Sequence, residues 1–307
     1  MDKGAIPKWD PGKVSSRRRL SLYMKLIRIE HTLFSLPFAY AGALLSGVPT
    51  ISDVILIGLA VLGLRTAGMA YNNIADIDID SQNPRTMNRP LVRGVISLRE
   101  AWMIVVVGSI LYFVSAALLN YYAFILSPLL WLVIMTYPHA KRWHSFPHLH
   151  LGLSLGMVVF GGAVAVVGKS ASSIASVLES VPYVYIIAVA LWVSGFDILY
   201  SIMDIDFDRA LGLGSVPAVY GVDKARIIAL AMHLISISFL ILGYVIYGLG
   251  LIGLLTTLVA SILMIYQHLL AMKSLSNIPK AFNMNLAISL IISFGIVAAK
   301  AFILSFL

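Results

Sequence analysis

Four stretches of this chain, residues 101–119, 121–140, 227–247 and 250–272, contain no lysine, arginine, aspartate or glutamate. A helix of about 20 apolar residues matches the ~30 Å hydrocarbon core of a bilayer, and a helix apolar on every face has no stable place in water. With 60% hydrophobic and 12% charged residues, against roughly a quarter charged in soluble domains, the chain is read as an integral membrane protein. The runs are too long and too uniform for the short alternating strands of a membrane barrel. Helical spans are expected at about 32–46, 54–75, 97–119, 122–138, 149–168, 181–203, 225–247, 250–271 and 283–305. The fold class is therefore an all-α polytopic membrane protein with about nine transmembrane helices.

The absence of cysteine excludes disulfides and thiolate metal sites. No apolar core of a cleavable signal precedes the first span, so none is expected. A formal charge of +8 invites a nucleic-acid reading, but the distribution of the cations excludes it. Eight of them, from Lys3 to Arg28, precede the first span, and most of the rest recur in every second loop, from Arg85 to Lys280. The intervening turns are nearly free of them, with Lys169 the exception. This is the positive-inside pattern. It places the N-terminus and the even loops in the cytoplasm, for a protein of a plasma or inner membrane. Residues 1–20 read as a basic cytoplasmic arm, and 21–307 as a single transmembrane domain whose lead-in, 21–32, is amphipathic.

Against this background the acidic run after the second span has no structural reason to exist. Asn72, Asp76 and Asp80 follow one another at i, i+4 and share one helical face, about 6 Å apart along the axis, while Asp78 points elsewhere. Such a row of hard oxygen donors suits Mg²⁺, which takes one or two protein carboxylates and completes its shell with water and phosphate. Arg85, Arg89 and Arg93 follow directly, where diphosphate oxygens need partners. The run Asp204-Ile-Asp206-Phe-Asp208 repeats Asp76-Ile-Asp78-Ile-Asp80 at a distance of 128 residues and four spans. That echo predicts two four-helix pseudo-repeats plus one helix around a central cavity, with two facing rows holding two Mg²⁺ around one diphosphate. Tyr200, Asp204 and Asp208 share a face, and Asp197 lies on it too.

Arg65 lies mid-span, where an arginine costs roughly 2.5–3.5 kcal/mol and is by default functional or paired; it is read as a partner for Asp76 or for a substrate anion. Lys141 and Arg142, beside the acidic loops, are candidates for the diphosphate. The histidines 139, 144, 148 and 150 are read as interfacial, without a helical acidic companion. Gly161-Gly162 and the Gly152-xxx-Gly156 spacing are read as helix-packing contacts.

Together these residues resemble the UbiA superfamily of intramembrane prenyltransferases. The family's first motif is matched by Asn72, Asp76, Asp80, Arg85-Thr86, Arg89 and Gly94. The second is matched by Tyr200, Asp204, Asp208, Gly212, Ser215 and Pro217, and the Tyr-Pro-x-x-Lys-Arg turn stands at 137–142. The likeness runs from about residue 22 to the C-terminus. Asn73 departs from it, since many members have Asp there. The flanks Arg28 to Phe38 and Gly195 to Asp204 look most like the quinone branch.

The resemblance implies Mg²⁺-dependent transfer of a polyprenyl chain from an allylic isoprenyl diphosphate to 4-hydroxybenzoate or a dihydroxynaphthoate, inside the lipid bilayer. It implies Asn72, Asp76, Asp80, Asp204 and Asp208 as metal ligands, and Arg85, Arg89, Lys141 and Arg142 as diphosphate partners. Arg28 or Arg65 is assigned to the acceptor carboxylate, and Tyr200 and Asp197 to positioning or proton removal. Two rivals remain at this stage: a sibling enzyme with a glycerophosphate or haem acceptor, and a cation-coupled secondary transporter. The latter requires carboxylates near the bilayer midplane and a path to both faces.

Overall fold

The structure, a computed structural model, describes residues 16–304. Within that range it is entirely helical: α1 Ser16–Ile27, α2 Ile29–Ser46, α3 Ile51–Ala75, α4 Ile77–Gln82, α5 Leu98–Leu119, α6 Tyr121–Thr136, α7 Ala140–Trp143 and α8 Pro147–Val167, then α9 Ile174–Glu179, α10 Tyr183–Ser201, α11 Ile205–Ala210, α12 Val216–Tyr220, α13 Val222–Ile246, α14 Gly250–Lys273 and α15 Ile278–Leu304. Among the described residues eight helices are long and apolar enough to cross a membrane, one fewer than the nine expected, and the Phe34–Ser46 segment of α2 is apolar but shorter. α1 begins at Ser16, inside the stretch read as an arm; residues 1–15 lie outside the described residues.

The tight turns follow from local chemistry. Ser97 and Glu100 form a reciprocal cap at the start of α5, and Thr50 with Asp53 does the same for α3. Asp53 also pairs with Lys169 at 2.5 Å. That pair accounts for the cation in an otherwise uncharged turn: Lys169 neutralises the buried Asp53 carboxylate.

α8 is the central helix, packed against α2 on one side and α10 on the other. It gets there through glycine. A Cβ on Gly162 would lie 1.9 Å from the Ala39 carbonyl oxygen of α2, and one on Gly152 would lie 2.1 Å from the Ala190 carbonyl oxygen of α10. Gly156 likewise faces Ile186 of α10, so these glycines are helix-packing contacts. Phe34, Phe38, Trp192 and Phe196 lock α2 to α10 through ring contacts of 5.6–6.4 Å.

The two halves repeat. α3 and α5, like α10 and α13, are the most extensive helix pairs. α3 ends at Ala75, directly before its acidic box, and α10 at Ser201, from which a 3₁₀ turn, Ile202–Asp204, leads into the second; six-residue helices, α4 and α11, follow. The break falls at the same residue of each box and in the same conformation: Asp76 has φ −103°, ψ 8°, and Asp204 has φ −105°, ψ 7°. The acidic rows are therefore kinked, where regular periodicity predicts one straight helix. The spacing survives the kink in the first row, since Asp76 N donates to Asn72 O at 3.1 Å and Asp80 N to Asp76 O at 2.7 Å.

Candidate active site

The two kinked helix ends open on one cavity of about 530 Å³, in the range typical of small-molecule sites. Asn72, Asp76 and Asp80 line it from the first box, and Asp197, Tyr200, Asp204 and Asp208 from the second. Arg28, Arg65, Arg85, Arg89 and Lys141 also line it. Arg142 does not; it stands behind Asp76. Asp78 and Asp206 face outward, with Asp78 67% exposed and paired to Arg142 at 3.0 Å.

A cavity with so many carboxylates must compensate their charge, and the loops deliver a cation to three of them. The turn at 137–143 brings Lys141 Nζ to Asp76 Oδ2 at 2.7 Å and Arg142 Nη1 to Asp76 Oδ1 at 3.0 Å. Arg89 donates to Asp80 Oδ2. Arg85 reaches across from the first box to the second and grips Asp204 with two nitrogens, Nε at 3.1 Å and Nη2 at 2.6 Å. Its Nη1 donates to the Tyr200 hydroxyl at 3.3 Å, with the guanidinium 5.4 Å from the centre of that ring. Asp208 has a hydroxyl instead, Ser215 Oγ donating at 2.9 Å. Burial pushes the Asp80 carboxyl above the usual carboxylate range, and the Arg89 charge only partly opposes it.

Among the described residues no three acidic or histidine side chains converge to chelate an ion unaided. The first row instead presents two buried carboxylates, Asp76 and Asp80, and the second two half-buried ones, Asp204 and Asp208, to shared space, the number Mg²⁺ takes when phosphate oxygens complete its shell. The donor set is all oxygen and fits a hard cation.

Deeper in the bundle, Arg65 and Ile134 are shared between this cavity and an apolar space of about 60 Å³ reaching Leu119 and Ala123 at the far ends of α5 and α6. Arg65 Nε is buried without a hydrogen-bond partner in the structure, and no ion pair joins Arg65 to Asp76, the partner considered for it.

Sequence reasoning missed two residues. Asn83 donates to Asp204 Oδ1 at 3.3 Å and accepts the Arg85 amide at 2.9 Å, linking the boxes; it sits in an irregular turn where no periodicity marks it. His148, read as interfacial, is 2% exposed and bonds Asp197 at 2.7 Å. Its signal was its place at the second position of α8, opposite the Asp197 face of α10.

The chain is similar to known proteins of one family. The model of the UbiA prenyltransferase family matches residues 35–290. The 4-hydroxybenzoate octaprenyltransferase of Haemophilus ducreyi is 32% identical over 222 residues, 71% of this chain and 74% of that protein. That of Francisella tularensis subsp. mediasiatica is 29% identical over 233 residues, 74% of this chain and 79% of that one. Among solved structures, a UbiA homolog from Aeropyrum pernix K1 has a TM-score of 0.85 at 57% identity, covering 88% of this chain and 98% of its own. A UbiA homolog from Archaeoglobus fulgidus bound to GPP and Mg²⁺ has a TM-score of 0.68 at 20% identity, covering 90% and 99%.

Proposed function

This chain belongs to the UbiA prenyltransferase family, and from that premise we propose that it transfers a polyprenyl chain from an allylic diphosphate to the ring of an aromatic acid such as 4-hydroxybenzoate. The observation that carries the proposal is the convergence of two acid-ended helices and their cations on one cavity. The acceptor follows the relatives named 4-hydroxybenzoate octaprenyltransferase, and the metal follows the donor set and the Mg²⁺-bound homolog. The positive-inside pattern supports a cytoplasmic N-terminus and active-site loops, and a basic arm leading into one transmembrane domain.

Asn72, Asp76 and Asp80 would hold one Mg²⁺, and Asp204 and Asp208 a second. Bound there, the metal supplies Lewis-acid stabilisation of the departing diphosphate. Substrate binding exchanges partners within the cavity. Lys141, Arg85 and Arg89 turn from Asp76, Asp204 and Asp80 to diphosphate oxygens, which frees the carboxylates that would hold the metal. The allylic carbon–oxygen bond then breaks and its electron pair leaves with the diphosphate. Apolar walls from Phe34, Leu151 and Phe196 keep water from the allylic cation. The ring carbon beside the phenol hydroxyl attacks C1 of the chain with a π pair, and Asp197 takes the ring proton that restores aromaticity. Arg65 or Arg28 receives the acceptor carboxylate.

The test is a panel of acceptors with a radiolabelled prenyl diphosphate and Mg²⁺ in lipid: 4-hydroxybenzoate, dihydroxynaphthoate, a glycerophosphate lipid and haem. Label is expected on an aromatic acid. Label found only on the glycerophosphate lipid or on haem would reassign the acceptor, and ion flux without transfer would revive the transporter.

A further inference from the structure

His148 links Asp197 to the loop that holds Asp208, through two hydrogen bonds of its ring and the backbone step from Val216 to Ser215. Both ring nitrogens are engaged. Nε2 lies 3.2 Å from the backbone nitrogen of Val216, and an amide can only donate, so Nε2 carries no proton. The proton sits on Nδ1, which donates to Asp197 Oδ2 at 2.7 Å. Next to Val216, the Ser215 hydroxyl donates to Asp208 Oδ2 at 2.9 Å, and Gly214 N donates to the Lys141 carbonyl at 2.7 Å. The His148 carbonyl shares the Ser194 hydroxyl proton, at 3.0 Å, with the Ala190 carbonyl, at 2.7 Å, one turn before Asp197 on α10.

We propose that His148 is a positioning residue that aims Asp197 into the cavity and, through the Val216 amide, sets the loop from which Ser215 holds Asp208. The proposal rests on the prenyl-transfer reading above for what Asp197 and Asp208 do. With Nε2 capped by a backbone amide, the imidazole has no second position at which to release a proton. The pair therefore orients and does not relay. The side chain must supply one donor and one acceptor on one planar end, a requirement that glutamine meets and leucine does not.

The test compares His148→Gln with His148→Leu in lipid, with unfolding midpoints recorded for both. The leucine variant is expected to lose about ten-fold or more in kcat and to need more Mg²⁺ for half-maximal activity, while the glutamine variant stays within about three-fold of wild type. Independently of turnover, ¹⁵N-edited NMR is expected to show His148 as the Nδ1–H tautomer, assigned by its loss in His148→Gln. A folded leucine variant with wild-type kcat and Mg²⁺ dependence would overturn the proposal, as would a glutamine variant no better than leucine or an Nε2–H tautomer. Should the leucine variant not fold, the tautomer and the glutamine variant still decide. A wild-type protein with the Nδ1–H tautomer but no transfer to any aromatic acid would sink the functional reading and leave the hydrogen-bond assignment standing.

Discussion

Asp76→Asn separates what the acidic row does for the fold from what it does for the reaction. Asp76 is only 5% exposed, and its oxygens accept from Lys141 at 2.7 Å and Arg142 at 3.0 Å. A hydrogen bond to a charged group contributes about 1.5–3 kcal/mol. Asparagine keeps one acceptor oxygen, and Arg142 keeps Asp78 Oδ1 at 3.0 Å and the Ala75 carbonyl at 2.8 Å. The metal-free protein should therefore lose about 2 kcal/mol, near the low end of that range, and roughly 4 °C in its unfolding midpoint. Turnover should fall much further, by about 10²–10³ in kcat/KM, because a carboxylate that would hold the metal against the departing diphosphate is gone. Adding Lys141→Met distinguishes the two effects. Replacing a buried ion pair by uncharged groups of similar size is often neutral, so the double variant should recover the midpoint and none of the activity. The assay is thermal unfolding without Mg²⁺ beside initial rates with it, in the same lipid. A single variant with wild-type midpoint and rate, or a double variant with restored rate, would refute the reasoning.

Arg85→Ala removes a diphosphate partner and the clamp on Asp204, and initial-rate kinetics should show KM for the prenyl diphosphate raised about ten-fold or more. Acidification should weaken Mg²⁺ binding while the pH is still above the ordinary aspartate value of about 4, because burial raises the Asp80 pKa. The sign for stability is opposite: a raised native carboxyl pKa favours the metal-free fold at low pH, and that contribution is lost as pH rises through the native value. Titrating metal affinity and unfolding midpoint over the same buffers checks both signs. Gly162→Ala places a methyl 1.9 Å from the Ala39 carbonyl oxygen and should cost about 1–3 kcal/mol by forcing α2 from α8, seen as a lower unfolding midpoint.

The spans were legible because the bilayer allows only one solution for an uncharged run of some twenty residues. The duplication was legible because Asp76 and Asp204 stand in identical patterns at equivalent helix ends. The kink at each of them was not, since a spacing of four is compatible with a straight helix and with one broken and resumed. Nor could the sequence tell which cation meets which carboxylate. Arg85 follows the first box by a few residues and yet grips the second, a choice made by the fold of the loop around Asn83. His148 stayed hidden among four nearby histidines, because only packing of α8 on α10 distinguishes the one that meets Asp197. Asp78 facing outward, by contrast, follows from helical phase alone.

The most direct test of the central claim, that the two boxes act together on one metal-bound diphosphate, is prenyl transfer to 4-hydroxybenzoate in lipid, with one variant from each box. Wild type should transfer label only with Mg²⁺, and Asp76→Ala and Asp204→Ala should each abolish transfer while remaining folded. Full turnover by either folded variant, or by wild type stripped of divalent metal, would contradict the account.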